Sequence, residues 1–184
     1  RISTVYFGGG TPSFLSEKEL ECLAGLVRRN FICGPDIEWT IEANPESLDL
    51  SKAKFLKDLG INRLSLGVQS FNDRYLKFLG RNHDKDGALE AYDHARKAGF
   101  DNVNLDLMSA FPGQTPDELA QDVRAMAALG SEHVSLYSLT IEENSRFFAK
   151  QLKLDDEERL AAQYVLICGL LEKSGARQYE VSNF

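Results

Sequence analysis

At 184 residues the chain is long enough for one domain with a substantial core, and its 43% hydrophobic and 27% charged residues are those of an ordinary globular protein. A net charge of −7 opposes general affinity for nucleic acid or anionic lipid. There is no signal-peptide pattern and no apolar run long enough for a transmembrane segment.

The first strand-like run, Ser3–Phe7, stops at Gly8-Gly9-Gly10-Thr11-Pro12. Three glycines leave a strand end without side chains, so backbone N–H and C=O groups can approach a ligand that a Cβ would block. The run is neither a dinucleotide fingerprint nor a P-loop, and taken alone it also suits a tight turn. Further strand-like runs follow at Ile37–Ile41, Arg63–Val68, Asn102–Leu107, His133–Leu139 and Gln178–Ser182. Helical periodicity fills the gaps, from Leu20, Leu23, Ala24 and Val27 to the long face of Leu160, Tyr164, Cys168 and Leu171.

Helix ends are well punctuated. Ser16 with Glu19 forms a capping box, and Thr115-Pro116-Asp117-Glu118 sets proline and acid in a first turn. Gly60, Gly99, Gly130 and Gly175 stand just past four helices. Strand and helix alternate throughout, which predicts an α/β protein with a parallel sheet, either an open doubly wound sheet or a barrel or partial barrel.

In such folds ligands bind at the carboxyl ends of the strands. Gly9, Gly10 and Thr11 follow the first strand and Glu42 ends the second. Gln69 ends the third, Asp106 lies near the end of the fourth, and Thr140 follows the fifth. Arg81, beyond a short third helix, can lie over the same rim. Singly, Glu42 and Asp106 also suit structural carboxylates bonded to loop amides, Gln69 a rim carbonyl, Arg81 a helix-end cation and Thr140 a turn cap. Jointly they suit a zwitterionic, polyhydroxylated ligand. Backbone carbonyls and a carboxylate match an ammonium, arginine matches a carboxylate, and a carboxylate matches a ribose diol.

Cys22, Cys33 and Cys168 are far apart, odd in number and in no C-x-x-C pair. That argues against a disulfide framework or a metal knuckle and suits a reducing cytoplasm. His83, His94 and His133 read as structural or surface residues. The chain has no initiator Met and stops at Phe184 directly after a strand-like run, which predicts that residues 1–184 are a single core excerpted from a longer protein.

The ordered segments YFGGGTPSFLS, IEANP, NRLSLGVQSF, LGRNH, AGFDNVNLDLM, FPGQT, YSLTIE and YEVSNF resemble the oxygen-independent coproporphyrinogen III oxidase family of radical S-adenosylmethionine (SAM) proteins. The wording of IEANP, LGVQSF, YSLTIE and YEVSNF is closer to its HemW branch, the haem chaperones. The resemblance implies a partial (β/α)6 TIM-like barrel lacking its cluster-binding strand. It implies that Gly9, Gly10 and Thr11 hold the methionyl part of SAM, with Glu42, Gln69, Arg81, Asp106 and Thr140 completing the pocket. It also implies a [4Fe–4S] cluster held by a CxxxCxxC motif, which the chain lacks and which is expected before Arg1, and a C-terminal domain beyond Phe184.

Haem or a porphyrinogen is the implied second ligand, and a haem-acceptor protein the implied partner. Within the family the alternative is coproporphyrinogen III oxidase, an oxidoreductase making protoporphyrinogen IX. A cluster-free binding module is the distant alternative. A conventional lyase or aldolase would want a lysine at a strand end, and no predicted strand ends in one. Ser109-Ala110 departs from the family, which usually has an aromatic residue and a glycine there.

Overall fold

The structure, a computed structural model, describes all residues from 1 to 184. Five strands, β1 (Ile2–Phe7), β2 (Cys33–Ala43), β3 (Arg63–Gln69), β4 (Val103–Ser109) and β5 (His133–Ser138), form one sheet in sequence order. Every neighbouring pair is parallel. The sheet curls into a half-barrel with helices on its outer side. Those helices are α1 (Glu17–Asn30), α2 (Leu50–Asp58), α3 (Asp73–Leu79), α4 (Lys85–Lys97), α5 (Pro116–Leu129), α6 (Arg146–Ala149) and α7 (Glu157–Lys173). No helix is long and apolar enough to cross a membrane.

The strands owe their placement to a two-residue period. Trp39, Ile41 and Ala43 of β2, Leu64, Leu66 and Val68 of β3, and Val103, Leu105 and Leu107 of β4 all belong to the main core cluster, joined by Val134 and Leu136 of β5. Their alternates are polar. Glu42 pairs with Ser65, Ser65 with Asn104, and Asp106 with Ser135 across the sheet. Filled barrels carry bulky aliphatic side chains on that inner face. Here it is a polar wall.

The capping signals hold. Ser16 and Thr115 each form a complete capping box with Glu19 and Glu118, and Pro116 sits in the first turn of α5. All four glycines expected to close helices have positive φ. The sixth strand-like run does not form a strand. Gln178–Ser182 is instead drawn into a turn in which the Glu180 carboxylate accepts from Ser182 N at 3.0 Å and from the Asn183 amide. Ser182–Phe184 then runs antiparallel to β5, with Val134 and Phe184 exchanging backbone bonds of 3.0 and 2.9 Å. The short helix α6 has no counterpart in the hydrophobic periodicity.

Candidate ligand pocket at the carboxyl rim

The loop after β1 is seated by a side chain from β2. Glu42 Oε2 accepts from Gly9 N at 3.0 Å, and Glu42 Oε1 accepts from Tyr6 Oη at 2.9 Å. Gly9 and Gly10 take φ of 86° and 65°, and a Cβ built on either would meet nothing within 4 Å. Their backbone is therefore bare on the open side. At Gly8 a Cβ would lie 2.7 Å from the Tyr6 ring and 2.9 Å from Glu42 Oε1, so a side chain there would displace both.

The second wall is a chain of side chains between two loops. Asn44 Nδ2 donates to Thr11 Oγ1 at 3.0 Å, and Arg81 Nη1 donates to Asn44 Oδ1 at 2.9 Å. Arg81 spends that one bond on the protein and keeps the rest of its fork for a ligand. Burial pulls its guanidinium below the ordinary value, opposed by the charges of Glu46 and Asp106.

The floor belongs to β3 and β4. Asp106 Oδ1 accepts from Asn104 Nδ2 at 2.7 Å and Oδ2 from Ser65 Oγ at 3.3 Å. Asn104 Nδ2 also lies 2.9 Å from Ser65 Oγ, and Ser135 Oγ donates to Asn104 Oδ1 at 3.0 Å. Burial raises the Asp106 carboxyl from 3.8 to about 6, with Glu42 adding to the rise and the hydrogen bonds opposing it. Burial, then the Glu42 carboxylate, pushes Tyr6 up to about 12.

Gly10, Thr11, Glu42, Gln69, Arg81 and Asp106 line one cavity of about 220 Å³, whose only hydrophobic lining residue is Ala43. A hollow of about 390 Å³ on the polar inner face shares Glu42, Ser65 and Asp106 with it. Together they fall in the range of about 300–1,000 Å³ typical of small-molecule sites. Two other hollows, of about 420 and 400 Å³, lie beside the end of α7, and the second reaches the amino end of β5. In this class of fold ligands bind at the opposite end of the strands, which makes the rim cavity the candidate site.

Seven of the eight candidate residues meet at this rim, six as lining and Gly9 through its bond to Glu42. Thr140 does not line the cavity. It is exposed beyond β5 and lies 3.3 Å from Glu142 Oε1. Glu42 combines the two readings open to it, since it lines the cavity and bonds a loop amide. Tyr6, Asn44, Ser65, Gly67 and Asn104 were not among the candidates. Ser65 and Asn104 carry the signal a sequence offers, polar residues on the alternating face of otherwise apolar strands.

The model of the radical SAM superfamily matches residues 1–152. The chain belongs to the radical SAM superfamily. Radical SAM proteins use SAM and a [4Fe–4S] cluster. The chain is 39% identical over 188 residues to the haem chaperone HemW of Bacillus subtilis and 37% identical over 183 residues to that of Escherichia coli. In both cases the whole chain is matched, and it spans about half the length of these curated relatives, 50% and 48% respectively.

Among solved structures, the coproporphyrinogen III oxidase HemN of Escherichia coli superposes with a TM-score of 0.89 at 28% identity, over 100% of this chain and 43% of that one. The Elp3 protein of Methanocaldococcus infernus shares the fold, with a TM-score of 0.75 at 17% identity over 90% and 44% of the two chains.

The buried carboxyl of this radical SAM core leaves a stability signature. A folded-state value raised from 3.8 to about 6 favours folding below about pH 4, and that contribution is lost as pH rises through 6. The full difference is about 3 kcal/mol at about 1.4 kcal/mol per pH unit. Asp106→Asn is therefore expected to stabilise the free protein at pH 7 by about 1–3 kcal/mol, with the gain fading toward pH 4. Urea unfolding at the two pH values checks it. A variant destabilised at pH 7 would contradict it.

Proposed function

We propose that this chain is the SAM-binding barrel of a HemW-type haem chaperone. The observation that carries the SAM reading is the convergence of bare Gly9–Gly10 backbone, two carboxylates and one half-free guanidinium on a single cavity. SAM presents an ammonium, a carboxylate and a ribose diol, and the cavity has a complement for each. Backbone at Gly9–Thr11 and the Glu42 carboxylate suit the ammonium, Arg81 suits the carboxylate, and Asp106 suits the diol. Gln69 adds a neutral amide beside them. Thr140, on the same rim but outside the cavity lining, would join only through movement of its loop.

The residues present do not fit an iron–sulfur cluster. Cys22 is on α1, Cys33 on β2 and Cys168 on α7, and no group of three His, Cys, Asp or Glu gathers to hold a metal. The cluster ligands are assigned to a segment preceding Arg1. What these residues do themselves is bind and orient the ligand and hold it against a polar wall. Haem as cargo, an acceptor protein and a reducing cytoplasmic location complete the reading. Support for the chaperone comes from the HemW relatives at 36–40% identity. The HemN superposition favours the second reading, a coproporphyrinogen III oxidase.

Calorimetry on the full-length, cluster-reconstituted protein tests the SAM site. Glu42→Ala and Asp106→Ala are each expected to weaken SAM binding by about 1.5–3 kcal/mol, the cost of losing a charged hydrogen bond. Unchanged affinity in both would return the carboxylates to a purely structural role.

Anaerobic incubation with coproporphyrinogen III, SAM and reductant separates the two family readings. The chaperone is expected to bind haem and to leave the porphyrinogen unconverted by chromatography. Turnover to protoporphyrinogen IX would establish the oxidase instead.

A further inference from the structure

The third strand ends in an uncommon turn. Ser70 N donates to the Val68 carbonyl at 2.9 Å, closing a three-residue loop around Gln69, whose φ is 68°. A γ-turn with a positive φ at a non-glycine centre is rare and strained. The β3–β4 register slips at the same place, between Leu66 and Gln69. The distortion turns the Gln69 side chain into the rim cavity, where its amide and that of Asn44 both stand over Gly67. A Cβ there would stand 2.9 Å from Gln69 Nε2 and 3.0 Å from Asn44 Oδ1.

Such a turn persists only where its surroundings over-determine it. On one side Asp122 of α5 accepts from Phe71 N at 3.0 Å and from the Ser70 hydroxyl. On the other side stands His83. Its side chain is 2% exposed, its Nε2 donates to the Val68 carbonyl at 3.1 Å, and its Nδ1 lies 3.1 Å from Glu46 Oε2. Glu46 sits in the turn that follows Asn44, the residue that holds Thr11 and Arg81 together. One imidazole therefore ties the strained turn on one wall of the cavity to the loop that forms the other.

We propose that His83 is a positioning residue of the ligand site. Its ring fixes the Val68 carbonyl relative to Glu46, so that Gln69 and the Asn44–Arg81 pair face the same ligand. The inference rests on the SAM reading of the cavity and adds a residue that touches no ligand itself.

The test is SAM affinity by calorimetry on the full-length, cluster-reconstituted protein, with each variant's melting temperature measured in parallel. His83→Ala is expected to raise the Kd about tenfold, as for loss of one well-made polar interaction. His83→Gln places an amide near the Nε2 position, keeps a donor for Val68 and is expected to recover affinity to within about threefold of the parent. His83→Asn reaches only the Nδ1 position and is expected to stay weak. In a Gln69→Ala background the His83→Ala loss is expected to shrink, leaving only the part that runs through Glu46 to the Asn44–Arg81 pair.

Affinity unaffected by His83→Ala, or lost equally in both backgrounds, would overturn the positioning role. If His83→Ala does not fold, the comparison of Gln with Asn decides in the same way, and equal affinities overturn it. Arg81→Ala is the control. Weak SAM binding there with normal binding in the His83 variants defeats this inference alone. Normal binding in both Arg81→Ala and Glu42→Ala defeats the SAM reading.

Discussion

A strand shows alternate residues to opposite faces, and in this sheet the alternation separates two chemistries. The outer set, from Trp39 and Ile41 through Leu64, Leu66, Leu105 and Leu107 to Val134 and Leu136, is buried under helices. The inner set, Glu42, Ser65, Asn104, Asp106 and Ser135, is polar and adjacent in register. A one-residue slip would exchange the sets and bury carboxylates among leucines, so the core that stabilises the sheet also fixes where the polar groups stand. Polar groups so placed must bond one another, and they do, through the Ser135–Asn104–Asp106–Ser65 network.

The same wall stores unfavourable free energy. Asp106 keeps a carboxyl in a site that raises it to about 6, and Gln69 holds a strained backbone. Neither is what stability alone would select, since an amide at 106 and a glycine at 69 relieve both conflicts. Costs of this kind gather at ligand sites, where pre-formed groups bind without having to reorganise. Glu42 shows the economy of the design. Its two oxygens hold Tyr6 and the Gly9 amide, so the residue that lines the cavity also sets the loop above it.

The parts legible in sequence were those governed by short-range rules. Five strands followed from apolar alternation, and the starts of α1 and α5 from Ser16–Glu19 and Thr115–Glu118. Glu42 and Asp106 stood out as charges at apolar strand ends. Illegible were features made by distant partners. No local pattern singles out Asn44, yet its amide spans Thr11 and Arg81. Ser65 and Asn104 become floor residues only once register brings them beside Asp106. Gln178–Ser182 carries a strand-like composition, but the Glu180 carboxylate closes a turn on Ser182 and Asn183 that composition does not register. Thr140 follows its strand end as expected, while the loop beyond it holds its hydroxyl near Glu142 and off the cavity.

The most direct measurement is a crystal structure of the full-length, cluster-loaded protein with SAM bound. The account predicts the methionyl ammonium within about 2.7–3.2 Å of Gly9–Thr11 backbone or Glu42, its carboxylate on Arg81, and the ribose diol on Asp106. SAM seated in the hollows beside α7, or against the rim without contact to Glu42, Arg81 and Asp106, would contradict it.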